Sequence, residues 1–173
     1  MRPLVLLGWD VLGFTSTGHL GDASPVEGGG DLYRMLSAHW RTVVLYTGLD
    51  SEEMVETWMR REGLRSHVGI LCAEKSVANY PWTLKGPEPV RDRAASWKIQ
   101  QLRRLRTEGN RELLYVDTDP TAVSKAIRDG VPAMLLAFPT YISPDWRPDT
   151  DISPRPWDDL AQEIELQRDG RHT

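Results

Sequence analysis

Five short apolar runs, separated by amphipathic stretches, constrain this chain more than any other feature of its sequence. They are Pro3-LVLL-Gly8, Thr42-VVLY-Thr47, His67-VGILC-Ala73, Glu112-LLYV-Asp117 and Pro132-AMLLAF. Each is the length of a strand, and each lacks the strict polar alternation of a half-solvated sheet. Runs of this kind suit strands covered on both faces, as in parallel sheets.

The intervening stretches carry helical spacing. Asp31 is placed to cap a helix bearing Leu32, Met35 and Leu36. Asp50 or Ser51 caps a second helix with Met54, Val55, Trp58 and Met59, stopped by Gly63. A third runs from about Arg93 to Thr107, with Trp97, Ile99, Leu102 and Leu105. Pro120 opens a fourth whose apolar face is Val123, Ala126 and Ile127, ending at Gly130. Strand and helix in alternation predict an α/β fold: a doubly wound, Rossmann-like, five-stranded parallel sheet with helices on both faces.

Gly13 to Arg41 leaves room for one helix, and the proline-bearing excursion from Glu74 to Val90 is short, so little or no cap domain is expected. The expected organisation is one α/β domain over residues 1–139, with a tail and helix over 140–173 packed on it. That tail is rich in proline and aspartate, and its helix carries Trp157, Leu160, Ile164 and Leu166.

Composition narrows the function classes. The chain has 173 residues, enough for one real core. Its net charge of -4 argues against a nucleic-acid partner, although a basic patch can hide in such a total. Arg103, Arg104 and Arg106 form one basic stretch, which a solvated helix face also explains. The single cysteine, Cys72, excludes an internal disulfide and a cysteine-rich zinc site, fits a reducing compartment, and is expected as a buried thiol. No apolar window approaches the roughly 20 residues of a membrane span, and no signal peptide is visible. No membrane partner and a cytoplasmic location are the expectations.

In doubly wound sheets the ligand site lies beyond the carboxyl ends of the strands. Asp10 follows strand one, Thr47 and Gly48 close strand two, Lys98 lies in the helix before strand four, and Asp117 with Asp119 closes strand four. Phosphoryl chemistry has a use for each member. A hydroxyl and an ammonium neutralise phosphate oxygens, and paired carboxylates hold Mg2+. Each also has a plain structural alternative. Asp10 can begin a turn, Thr47-Gly48 can be a simple connection, Lys98 can be a solvated helix residue, and Asp117 and Asp119 can serve a helix N-terminus.

The order of these residues resembles the haloacid dehalogenase-like (HAD) superfamily of phosphohydrolases. LLYVDTDPTAV resembles its fourth motif, YTGLD its second and WKIQQL its lysine-bearing third, over residues 1 to about 139. The resemblance implies that Thr47, Gly48 and Lys98 contact phosphate, that Asp117 and Asp119 hold Mg2+, and that Asp10 is the acid/base. The family writes Asp-x-Asp after its first strand, with the first aspartate as nucleophile. Here Gly8 stands at that position. Shifting the register makes Asp10 the nucleophile but leaves Leu12 where the acid belongs. The tail resembles in style HAD-like proteins carried by phages of actinobacteria, which would make the location the host cytoplasm.

These residues lead to an expected function with one alternative. The first expectation is a catalytically impaired binding or regulatory module whose Mg2+ is weak or absent. The alternative is a Mg2+-dependent phosphohydrolase using Asp10 or a metal-activated water. The expected partner is a phosphorylated small molecule, a phosphorylated macromolecule, or a protein. A receiver-like domain ranks below both, because strand three ends LCAEK without an aspartate.

Other signals have simpler explanations. Gly28-Gly29-Gly30 lacks the lysine of a P-loop and reads as a helix entry. His19 can reach the site or lie on a loop surface, and His39 and His67 lack metal-ligand spacing. Trp9 either faces the pocket mouth or packs against the sheet.

Overall fold

The computed structural model describes residues 2–15, 19–74 and 88–136. The predicted strand at 132–138 is therefore described only in part. Phe138, Pro139 and the tail over 140–173, with its expected helix, lie outside the described residues.

Five strands form one parallel sheet: β1 (Leu4–Gly8), β4 (Arg41–Tyr46), β5 (His67–Cys72), β6 (Leu113–Asp117) and β7 (Ala133–Leu135). Their spatial order is β5-β4-β1-β6-β7. The chain winds outward from β1 to β4 and β5, then returns to build β6 and β7 on the other side. The reversal falls between β1 and β6. Their register pairs Leu7 with Val116, so Gly8 and Asp117 end side by side. This is the doubly wound α/β fold that the apolar runs predict.

Alternation along each strand sorts the core into two layers. Val5, Leu7, Val44, Tyr46 and Val116 face α1 (Gly29–His39) and α2 (Glu52–Arg61), meeting Tyr33, Leu36, Val55, Trp58 and Met59. Leu4, Leu6, Val43, Leu45, Leu113 and Tyr115 face α3 (Glu88–Thr107) and α4 (Pro120–Arg128), meeting Ala95, Ile99, Leu102, Ala122, Val123 and Ala126. Burying each layer removes a continuous apolar surface from water, the largest favourable contribution to the fold. A two-residue period is what lets one strand serve both layers.

Several local expectations are corrected. Asp31 is not the cap of α1. Gly28, with φ of 77°, makes the entry, and Asp31 in the first turn pairs with Arg34 at 2.7 Å. Met35 and Met54 are exposed instead of facing the core, because the buried stripes run through Tyr33 and Leu36 in α1 and through Val55, Trp58 and Met59 in α2. Cys72 is only half-buried, since β5 is an edge strand. Burial still pushes its thiol up to about 11, which leaves it protonated and inert at neutral pH.

Among the described residues between Gly13 and Arg41 no cap stands, and most of the excursion from Glu74 to Val90 lies outside the described residues. A 3-10 turn (Trp9–Val11) follows β1, and β2 (Gly13–Phe14) then pairs with β3 (Ser24–Pro25), a second 3-10 turn (Leu20–Asp22) lying between them. Asp50 latches this excursion to the sheet. Its carboxylate accepts from the backbone N–H of Leu20 and the hydroxyl of Tyr46, both at 2.8 Å, and lies 3.4 Å from His19 Nδ1. The capping role at α2 falls to Ser51, whose Oγ accepts from the Met54 N–H.

Candidate functional site

The carboxyl ends of β1 and β6, at the winding reversal, bring together Gly8, Asp10, Lys98, Asp117 and Asp119. Leu113, Tyr115 and Asp117 share one side of β6, so Asp117 projects toward α3. There it meets Lys98, which falls on the same helical stripe as Ala95, Ile99 and Leu102. Lys98 is 1 % exposed and Asp117 0 %. Lys98 Nζ donates to Asp117 Oδ2 at 2.8 Å. Both charges are out of water, so the pairing is obligatory for each.

Every oxygen of Asp117 is engaged. Oδ2 also accepts from the Tyr115 hydroxyl, and Oδ1 accepts from the backbone N–H of Asp119 at 2.9 Å. Asp119 is the cap of α4: its Oδ1 accepts from the Thr121 N–H at 2.9 Å, with Pro120 at the first helical position. Sequence reasoning missed Tyr115, because an aromatic residue in an apolar run reads as core. The signal was its position two residues before Asp117, which puts both side chains on one face. A buried phenol normally requires a polar partner.

Gly8 has an ordinary extended backbone, with φ of -60°, so no conformational demand explains a glycine here. Space explains it. A Cβ on Gly8 would lie 2.5 Å from Asp117 Oδ2 and 2.7 Å from its Cγ. The Asp117 carboxylate thus leans into the volume that a side chain at position 8 would fill.

Asp10 sits in the 3-10 turn with 45 % of its side chain exposed, and its Oδ2 is 3.8 Å from Lys98 Nζ. Desolvation raises its carboxyl to about 6, the attraction of Lys98 only partly opposing this while Asp117 and Asp119 add to it. Burial likewise raises Asp119, and it raises the Tyr115 phenol, to which Asp117 adds. For Lys98 burial works against the charge, but Asp117 and Asp10 outweigh it and hold the ammonium above its ordinary range. Three carboxyl groups therefore surround one ammonium.

A carboxyl with a raised folded pKa holds its proton more tightly when folded. The contribution of Asp10 to stability is complete below pH 3.8 and is lost as pH rises through about 6. Asp10→Asn is expected to remove that loss, so the variant melts higher than wild type at pH 7 and the gap closes by pH 4. Thermal melts across this range check it.

Thr47 and Gly48 follow β4, one strand away from Gly8. Thr47 is 5 % exposed. Gly48 has a packing reason: its Cβ would fall 2.1 Å from the Tyr46 hydroxyl, so the phenol folds across it on the way to Asp50. Trp9 packs against the sheet and not into a pocket mouth. It is 2 % exposed and makes edge contacts with Tyr46 and Trp58, their ring centroids 5.4 and 5.1 Å away.

His19 is on the surface, with its ring facing Asp50. His67 is a strut: Nε2 lies 2.5 Å from Glu56 Oε2, and Nδ1 3.1 Å from the Tyr33 hydroxyl, tying β5 to α2 and α1. A cavity of about 290 Å³ opens between Leu20-Gly21 and the α2 face of Glu53, Met54, Thr57, Trp58 and Arg61, and contains none of the candidate residues.

The chain matches no protein-family model, and no curated protein is significantly similar to it.

Proposed function

We propose that this is a HAD-like domain whose strand-edge site binds without hydrolysing, a binding or regulatory module with no nucleophile. The observation that carries this reading is the Asp117 carboxylate lying over Gly8. The volume where an attacking carboxylate would stand is filled by the side chain of strand four, which Lys98 and Tyr115 hold there. Covalent phosphoryl transfer needs a nucleophile within bonding reach of phosphorus, and glycine supplies none.

The inward pairing of Lys98 bears on the ligand. An ammonium that is 1 % exposed and bound to Asp117 is not presented to a phosphate in solution. Thr47 is buried as well, so a phosphorylated ligand would meet the backbone at Gly48 and the half-exposed carboxyl of Asp10. A protein segment requires no such cation and is the favoured ligand class. The test is phosphatase turnover on a broad phosphoester panel, with Mg2+ present, for wild type and Gly8→Asp. Activity confined to Gly8→Asp supports the reading, and wild-type turnover that vanishes in Asp117→Asn overturns it.

The second reading, a phosphohydrolase using Asp10, has one observation in its favour. A half-exposed carboxyl raised to about 6 is suited to general acid or base work near neutrality. It predicts wild-type phosphate release with an apparent pKa near 6, abolished in Asp10→Asn. No release across the panel rejects it.

A further inference from the structure

We propose that the ammonium of Lys98 fills the electrostatic place of a divalent cation at this strand edge, so that the site takes its ligand without Mg2+. The inference rests on the reading of this edge as a binding site, but not on whether turnover occurs. The family resemblance assigns Asp117 and Asp119 to Mg2+, and the residues present do not fit that ion.

Mg2+ demands near-octahedral oxygen coordination at about 2.0–2.1 Å and is usually bound through one or two carboxylates, with waters completing the shell. Both oxygens of Asp117 already accept hydrogen bonds, three in all, so an ion would compete with them. Oδ1 is bound by the Asp119 N–H, and Oδ2 carries both Lys98 Nζ and the Tyr115 hydroxyl. Asp119 Oδ1 is committed to the helix cap. Among the described residues, no three histidine, cysteine or carboxylate side chains are grouped to hold a metal.

An ion drawing Asp117 toward itself would have to strip a fully buried ammonium of its partner. Lys98 would then be left with Asp10, at 3.8 Å and half-exposed, and with Asp119, whose Oδ1 is held in the helix cap. The ammonium also sits where a cation is most useful, within reach of two carboxylates from different strand ends. Charge balance at the reversal of the sheet is thus supplied by the chain itself.

The test is a Mn2+ titration of the full chain followed by electron paramagnetic resonance, paired with thermal melts in MgCl2. For wild type, no Mn2+ is expected to bind with Kd below ~1 mM, and ~10 mM MgCl2 is expected to move Tm by less than about 1 °C. Lys98→Met takes the ammonium off Oδ2, leaving only the Tyr115 hydroxyl on it, and should gain roughly 3 °C or more under the same conditions, a gain that Asp117→Asn cancels. Lys98→Gln serves as a second variant should the methionine form not fold.

Wild-type Mn2+ binding below ~1 mM that disappears in Asp117→Asn overturns the proposal, as does a folded Lys98 variant indifferent to Mg2+. Wild-type turnover that persists in EDTA would defeat the silent-site reading and leave this inference standing. Mn2+ binding without turnover would do the reverse.

Discussion

Lys98→Met is expected to lower stability by about 3–5 kcal/mol, the cost of leaving a buried carboxylate without its cation. Both partners are shielded from solvent, so neither screening by salt nor hydration can compensate. At about 2–4 °C per kcal/mol for a domain of this size, Tm should fall by roughly 10 °C. The double variant Lys98→Met/Asp117→Leu separates lost pairing from lost packing. With both charges gone, most of the loss should return, because apolar replacements of buried ion pairs are often close to neutral. Tyr115 would then be left with an unmet hydroxyl, so adding Tyr115→Phe should recover about 1 kcal/mol more. Thermal and urea melts of the four proteins, wild type included, measure each step of the series.

The pH dependence has a definite sign. The folded pKa of Lys98 lies above its ordinary 10.5, so its stabilisation is complete below that pH and lost only as pH rises further. Wild type should lose stability in strong alkali through this group, and Lys98→Met should not. If the single variant melts within a degree or two of wild type at neutral pH, the ion pair is not the keystone described here.

How much of this was legible in advance depends on the range of the interactions. The strands were legible because continuous apolar runs such as PLVLL and LLYV have no other stable use in a chain this short. The two-layer core followed from their alternation. The strand-edge placement of Asp10, Asp117 and Asp119 followed from topology alone. Lys98 was half legible: its spacing with Ala95, Ile99 and Leu102 places it on the core face, yet a lysine there counts as solvated until a buried partner is known.

Other features depended on tertiary contacts. Trp9 follows the end of β1, where the 3-10 turn breaks the two-residue period, so its side could not be read from position. Met35 and Met54 lie at the borders of their helical stripes, where a small rotation decides exposure. Asp50 had the right residue type for a cap, but its oxygens go to Leu20 and Tyr46. Gly8 was legible as a departure from a motif and illegible as a necessity. Only the approach of Asp117, from a strand built late in the chain, gives its missing side chain a physical reason.

That reason makes Gly8→Asp a sharper experiment than restoring one carboxylate. The new Cβ would arrive 2.5 Å from Asp117 Oδ2, a separation real atoms do not tolerate, so the Asp117 carboxylate must turn away. Turning it disturbs the bonds from Lys98 and Tyr115 and sets a fourth acid beside one ammonium. Without divalent ions the variant should lose about 2–4 kcal/mol, from like-charge crowding and a strained buried pair. Gly8→Ala isolates the steric part and should lose less, because it adds bulk without charge. Adding MgCl2 should raise the Tm of Gly8→Asp by several degrees while leaving Gly8→Ala and wild type unmoved. A Gly8→Asp protein as stable as wild type in EDTA would mean that Asp117 does not occupy the volume above Gly8, and the proposed reason for a silent site would fail with it. If instead the variant is destabilised, responds to Mg2+ and releases phosphate where wild type does not, one residue separates a binding site from a hydrolytic one.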